Sequence, residues 1–182
     1  MQRIGIVSAL ALGLIASAAF AQSRSPYAGF ETRAIKALPD QQISDLRAGL
    51  GLSLALAAEL NGYPGPRHTL DFAKEMNLSD EQRTKVEALF DSMKQESIAV
   101  GERLIAQEAE LDRAFANKTV TADALHALTA DIGRTQAALR ETHLKYHLLT
   151  LDLLTPAQAQ RYAQLRGYAG TQEHNPALHD AR

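Results

Sequence analysis

Two histidines one helical turn apart are the residues of this chain whose types and spacing best suit metal chemistry. They are His143 and His147 in the segment His-Leu-Lys-Tyr-His. Side chains four residues apart on a helix lie one above the other, about 6 Å apart, so both imidazoles can bind one metal ion. The alternative is structural, with His143 packed beside Leu139 in a helix seam and His147 partly exposed. The spacing leaves both interpretations open.

The sequence offers few other residues that could bind a metal or catalyse a reaction. His174 and His179 near the C-terminus would bind metal weakly if several chains assembled, and are otherwise a solvated tail. Met76 and Met93 fit helix packing better than metal ligation. The sequence contains no Gly-x-Ser-x-Gly, no phosphate-binding glycine loop, no His-Glu-x-x-His and no cysteine. We therefore expect neither enzymatic activity nor nucleotide binding.

The histidine pair lies in the second of two long helical patterns. Apolar residues at three- and four-residue spacing predict a helix from Ser79 to about Ala116 and another from an N-cap at Thr121 to about Leu153. Residues 117–119 form the tight turn between them. The sequence thus predicts an all-α fold built on a long antiparallel helical hairpin, with short flanking helices.

A short phrase, Leu-[Ser/Thr]-x-x-Gln, occurs at residues 78–82 and again at 154–158. Each predicts a helix start: the hydroxyl accepts from a backbone N–H three residues on, and the glutamine there reaches back to the cap. The predicted caps are Ser79, Gln82, Thr155 and Gln158. The second phrase follows closely on the histidine pair and begins a final short helix.

The chain before the hairpin divides into a polar leader and shorter helical patterns. A helix is predicted from Pro39 to Asn61, a rigid turn at residues 63–66, and a short helix from His68 to Met76. We divide the chain into a signal peptide (1–21), a flexible leader (22–38), an N-terminal helix and turn (39–66), the hairpin domain (67–168) and a disordered tail (169–182).

The first residues resemble an export signal. Arg3 precedes an apolar run at residues 4–16, and Ala19-Phe20-Ala21 is a small-x-small cleavage site. An uncleaved membrane anchor is the alternative, because the run approaches spanning length. We expect a periplasmic protein that works without ATP.

Charge and apolar composition indicate which classes of partner the chain can bind. The net charge is −2, and the charges alternate in sign along the helices without a basic block, which argues against nucleic acid. A helical hairpin alone would leave apolar surface exposed, so a cradle-like homodimer is predicted.

Four apolar residues beside charged ones are candidates for binding unfolded clients, with a dimer core as the alternative. They are Ile98, Val100, Leu104 and Ile105.

With its two phrases, its lack of cysteine and its export signal, the chain resembles the CpxP/Spy superfamily of small periplasmic stress proteins. That superfamily includes ZraP-type chaperones and CnrX-type heavy-metal sensors. The likeness covers roughly residues 68–168, and residues 60–66 resemble a subgroup labelled periplasmic heavy-metal sensor or refolding chaperone. The resemblance implies a hairpin that dimerises into a cradle. Spy-like members hold unfolded envelope proteins, CpxP-like members restrain a membrane sensor kinase, and CnrX-like members bind a transition metal and signal through an anti-sigma factor.

The resemblance also implies a ligand set. CnrX-like sensors carry His-x-x-x-Met where this chain has its histidine pair, so His147 stands in place of the methionine. Their other ligands come from a first helix with His-x-x-x-His, plus a glutamate. Here that helix offers only His68, with Phe72 at the second position, and Glu75 as a substitute. The leading expectation is an ATP-independent chaperone or stress adaptor. The alternative is a sensor or resistance protein for zinc, nickel, cobalt or copper, and a third option is a purely structural envelope protein.

Overall fold

The computed structural model describes residues 25–168, and this part of the chain is helical without a β-strand. A short 3-10 turn at Phe30–Thr32 precedes the α-helices. These are α1 (Asp40–Arg47), α2 (Leu56–Glu59), α3 (Pro66–Asp71), α4 (Asp80–Ala116), α5 (Ala122–Leu151) and α6 (Pro156–Leu165). The predicted all-α class is confirmed. The predicted signal peptide (1–21), the first residues of the predicted leader and the predicted tail (169–182) lie outside the described residues.

The predicted hairpin is formed by α4 and α5, which pack along each other. The 37 residues of α4 span about 55 Å at 1.5 Å per residue. The chain reverses at Asn117 and Lys118, the latter with φ of 55°. The hydroxyl of Thr121 then accepts from the backbone N–H of Ala124 and starts α5. The capping and turn residues in the sequence therefore predicted the end of α4 and the start of α5 correctly.

The N-terminal segment packs on the hairpin through Ile35 and Leu38, at the end of the predicted flexible leader. A backbone hydrogen bond from Leu38 to Ile35 closes a turn, and both side chains are buried. They belong to an apolar core that also includes residues of three helices. Its members are Ile35, Leu38, Ile43, Leu46, Val100, Leu104, Ile105, Ile132 and Leu139. Residues 35–46 thus supply apolar surface that the hairpin alone lacks.

The contact between α1 and α4 depends on a glycine. A Cβ at Gly101 would lie 2.8 Å from the backbone oxygen of Leu46. The two helix backbones can approach this closely only where no side chain intervenes. Gly101 therefore fixes where α1 crosses α4.

The single helix predicted from Pro39 to Asn61 is wrong, because α1 ends at Arg47 and α2 has only four residues. The chain turns at Gly49 (φ 68°), where a Cβ would lie 2.9 Å from the backbone oxygen of Lys94. Leu52 and Ser53 then adopt φ of 44° and 61°. Packing of this segment against α4 overrides its helical periodicity.

Three of the four residues predicted to bind clients are buried, which fits the alternative that they form a core. Val100, Leu104 and Ile105 are buried in the core beneath the N-terminal segment. Ile98 is half-buried, and its Cγ1 would lie 3.1 Å from a Cβ at Gly49. The chain's own residues cover this face, whereas we predicted clients or a second copy there. The homodimer stays a prediction.

Candidate functional site

The histidine pair lines a cavity of about 250 Å³ formed by six parts of the chain. We call it the histidine cavity. Segment 51–56, the end of α2, the start of α3, α4 and α5 contribute to it, and Arg166 after α6 lines it as well. The side chains that bear on its chemistry are Glu59, His68, Met93, His143, His147 and Arg166.

His147 is held in one orientation by a backbone carbonyl. Its Nδ1 lies 2.6 Å from the oxygen of Tyr63, and its side chain is almost fully buried. A carbonyl only accepts, so Nδ1 carries the proton and the lone pair of the neutral ring is on Nε2. Gly65 packs against that edge, since a Cβ there would lie 2.8 Å from Nε2. The turn at residues 63–66 thus fixes the ring of His147, which the structural alternative had placed partly exposed.

His143 is more deeply buried, with 2% of its surface exposed. Its Nε2 has no hydrogen-bond partner among the residues that the structure describes. Burial lowers the pKa of His143, and the neighbouring His147 lowers it further. The ring is therefore neutral at neutral pH and retains a lone pair. A buried ring nitrogen without a partner is costly unless a ligand satisfies it.

Glu59 is a site residue that the sequence analysis missed. Its Oε1 accepts from Tyr162 (2.6 Å), from Arg166 (2.9 Å) and from Tyr168 (3.1 Å). Its Oε2 lies 3.8 Å from Nδ1 of His147. One signal was available: Glu59 is the only charged residue between Arg47 and Arg67.

The Glu59 cluster also perturbs its neighbour on α6. Burial raises the pKa of Tyr162, and its hydrogen bond to the Glu59 carboxylate raises it further. The phenol therefore remains a proton donor over the whole physiological range. It ties α6 to the end of α2, beside the histidine cavity.

The remaining predicted ligands are divided between two places. His68 lines the histidine cavity, where its Nδ1 lies 3.0 Å from Oδ2 of Asp71. Glu75 instead lines a separate cavity with Thr155 and Arg161. Across residues 25–168, no cluster of three or more His, Cys, Asp or Glu side chains is arranged to hold a metal ion. The described chain thus supplies a histidine pair without a third ligand of those types.

The predicted helix caps are confirmed at both phrases. Ser79 accepts from the backbone N–H of Gln82, and Thr155 accepts from that of Gln158. The side-chain oxygen of each glutamine accepts in turn from the backbone N–H of its own cap residue.

Within the described residues no helix is both long and apolar enough to cross a membrane.

Comparison of the chain with protein-family models, curated proteins and solved structures gives no significant match. Function is therefore inferred from the chemistry of the histidine cavity.

Proposed function

We propose that this chain is a periplasmic metal-binding protein of the heavy-metal sensor or resistance type, with His143 and His147 as its metal ligands. The observation that carries the proposal is the buried Nε2 of His143, which lacks any described partner. The predicted export segment at residues 1–21 supports the periplasmic location. The absence of any catalytic motif supports binding without catalysis.

The donor set fits a borderline transition metal. Imidazole suits zinc, copper and nickel, and cobalt lies between nickel and iron in the usual affinity order. The Nδ1–H of His147 donates to the Tyr63 carbonyl, which orients the ring and leaves its lone pair on Nε2. His68 and Met93 line the same cavity, but among the described residues no third His, Cys, Asp or Glu side chain joins the pair.

A site with two protein nitrogens leaves other coordination positions to water or to groups beyond residues 25–168. We therefore expect affinity in the micromolar range, weaker than that of a closed four-ligand zinc site. Glu59 offers a route for a response, because its Oε2 lies 3.8 Å from His147 while its Oε1 holds α6. A metal cation bound at His147 would attract the Glu59 carboxylate, which anchors α6 through its hydrogen bond with Tyr162.

Calorimetric titration of the chain from Gln22 with zinc, nickel, cobalt and copper tests the proposal. His174 and His179 are replaced by alanine in every sample so that tail histidines do not contribute. We expect saturable binding that is lost in His143→Gln and in His147→Gln. His126→Gln is the matched control, because His126 is an exposed histidine on the same helix. Micromolar binding that persists in His143→Gln would refute the assignment.

Gly65→Ala tests the geometry without removing a ligand. The added methyl would lie 2.7 Å from Cε1 of His147, so the ring must move. Metal affinity should fall while both histidines remain. Unchanged affinity would indicate that the metal binds elsewhere.

An ATP-independent chaperone is the second candidate. It is favoured by exposed leucines on α5 and on α2 with its C-cap residue, since these two helices pack together. Leu148 and Leu149 are 53% and 43% exposed, and Leu56 and Leu60 are 49% and 58% exposed. Light scattering with a reduced, aggregating client tests it. Suppression that Leu148→Ser/Leu149→Ser removes, but Leu125→Ser at the far end of α5 does not, would support this candidate.

A further inference from the structure

A second cavity of about 490 Å³ lies between α1, segment 48–55, α4 and α5. We call it the leucine groove. Its apolar wall consists of Leu46, Leu52, Leu54, Leu104 and Leu139. The volume lies within the range of about 300–1,000 Å³ that small-molecule sites occupy. No aromatic residue lines it, so the groove offers an alkyl chain a surface but gives sugars and bases no ring to stack on.

The polar side chains that line the groove are all hydrogen-bond donors without negative charge. They are Gln42, Gln136 and Arg140, and no acidic side chain lines the groove with them. None of the three side chains makes a hydrogen bond or ion pair with the residues that the structure describes. Arg140 is exposed and so available as a cation beside the apolar wall. This distribution complements an anionic head on an apolar chain.

The wall also includes strained backbone. Leu52 lines the groove, and both it and Ser53 adopt left-handed φ values. Such conformations are costly for residues other than glycine and cluster at ligand-binding segments. Segment 48–55 is thus held in place by its packing against α4, and one face of it forms the groove.

We infer that the leucine groove binds one single-chain amphiphile with an anionic head. The alkyl chain lies against the leucines, and a carboxylate binds Arg140 with the two glutamine amides as further donors. The inference is independent of metal binding at the histidine cavity.

Calorimetry with three ten-carbon probes tests the inference on the chain from Gln22 to Arg182. The probes are decanoate, neutral decanol and cationic decyltrimethylammonium, each kept below its aggregation limit. We expect decanoate to bind with one-to-one stoichiometry and more tightly than the other two. No saturable binding of decanoate, or equal affinity for all three probes, would overturn the inference.

Three variants locate the site. Arg140→Gln should weaken decanoate about fivefold, the size expected for an exposed ion pair, and leave decanol unchanged. Arg134→Gln is the charge-matched control, because Arg134 pairs with Asp131 and does not line the groove. Gly133→Leu adds a side chain at the groove wall, where a Cβ meets nothing within 4 Å. It should weaken decanoate and decanol about tenfold or more with the fold intact by circular dichroism.

Should Gly133→Leu fail to fold, Arg140→Glu gives an independent result. Reversing this exposed charge should abolish the preference for decanoate and raise the affinity for decyltrimethylammonium. An unchanged preference in Arg140→Glu, or unchanged decanoate binding in folded Gly133→Leu, would contradict the site.

Discussion

The side-chain amides of Gln82 and Gln158 bind each other head to head. Nε2 of Gln82 donates to Oε1 of Gln158 at 2.9 Å, and the reciprocal bond is 3.0 Å. Each Nε2 also donates to a backbone oxygen, that of Leu153 for Gln82 and that of Asn77 for Gln158. The two helix caps are therefore one network, which joins the start of α4 to the end of α5 and the start of α6.

The glutamine pair should be energetically coupled. Gln82→Ala and Gln158→Ala should each destabilise the protein by about 1–2 kcal/mol, because each leaves amide groups of the other unpaired. The double variant should cost less than the sum, with a coupling of about 0.5 kcal/mol or more. Urea unfolding measures all three. Gln160→Ala, at an exposed position on α6, is the control and should lie within about 0.5 kcal/mol of the parent. Strict additivity would contradict the network.

Two glycines in the hairpin should respond oppositely to alanine. Gly101→Ala places a methyl 2.8 Å from the Leu46 backbone oxygen, which cannot rotate away, so we expect a loss of about 1–3 kcal/mol. Gly133→Ala meets nothing within 4 Å on α5 and should stabilise by about 0.5–1 kcal/mol through helix propensity. Thermal melts of the pair test the crossing of α1 over α4. Equal effects at both sites would show that α1 does not pack there.

Acidification should destabilise the protein through His143. Its folded pKa is lowered by burial and by His147, so below pH about 6.5 the unfolded chain takes up a proton that the folded chain resists. Stability is thus fully present above that pH and is lost as pH falls toward the folded pKa. Urea midpoints at pH 7.5 and 5.5 measure the loss. His143→Gln should flatten this dependence, and His126→Gln should leave it as in the parent.

The Glu59 cluster should be sensitive to removal of its charge. Glu59→Gln leaves Arg166 without its carboxylate and turns one acceptor of Tyr162 into an amide, so we expect a loss of about 2–3 kcal/mol. Glu102→Gln is the matched control, because its pair with Arg47 is about half exposed on both sides and should contribute under about 1 kcal/mol. Chemical denaturation compares the two. A Glu59→Gln effect no larger than that of Glu102→Gln would contradict the cluster.

The sequence by itself determined the features that depend on residues within about one turn of each other. The caps at Ser79 and Thr155, the reversal at Asn117 and the common helix face of His143 and His147 follow from neighbouring side chains and backbone, so local patterns predicted them. The long helices could be recognised for the same reason, since each repeats its apolar spacing many times.

Only the tertiary structure decided which surfaces meet. The burial of Val100 and Leu104 depends on α1, some 55 residues earlier, and that contact depends on the space at Gly101. The bond between Gln82 and Gln158 and the placement of Glu59 beside His147 likewise join residues far apart in sequence. Periodicity shows which face of a helix is apolar and which is polar. The element that packs against the apolar face is set by tertiary packing, loop length and the close approach of backbones.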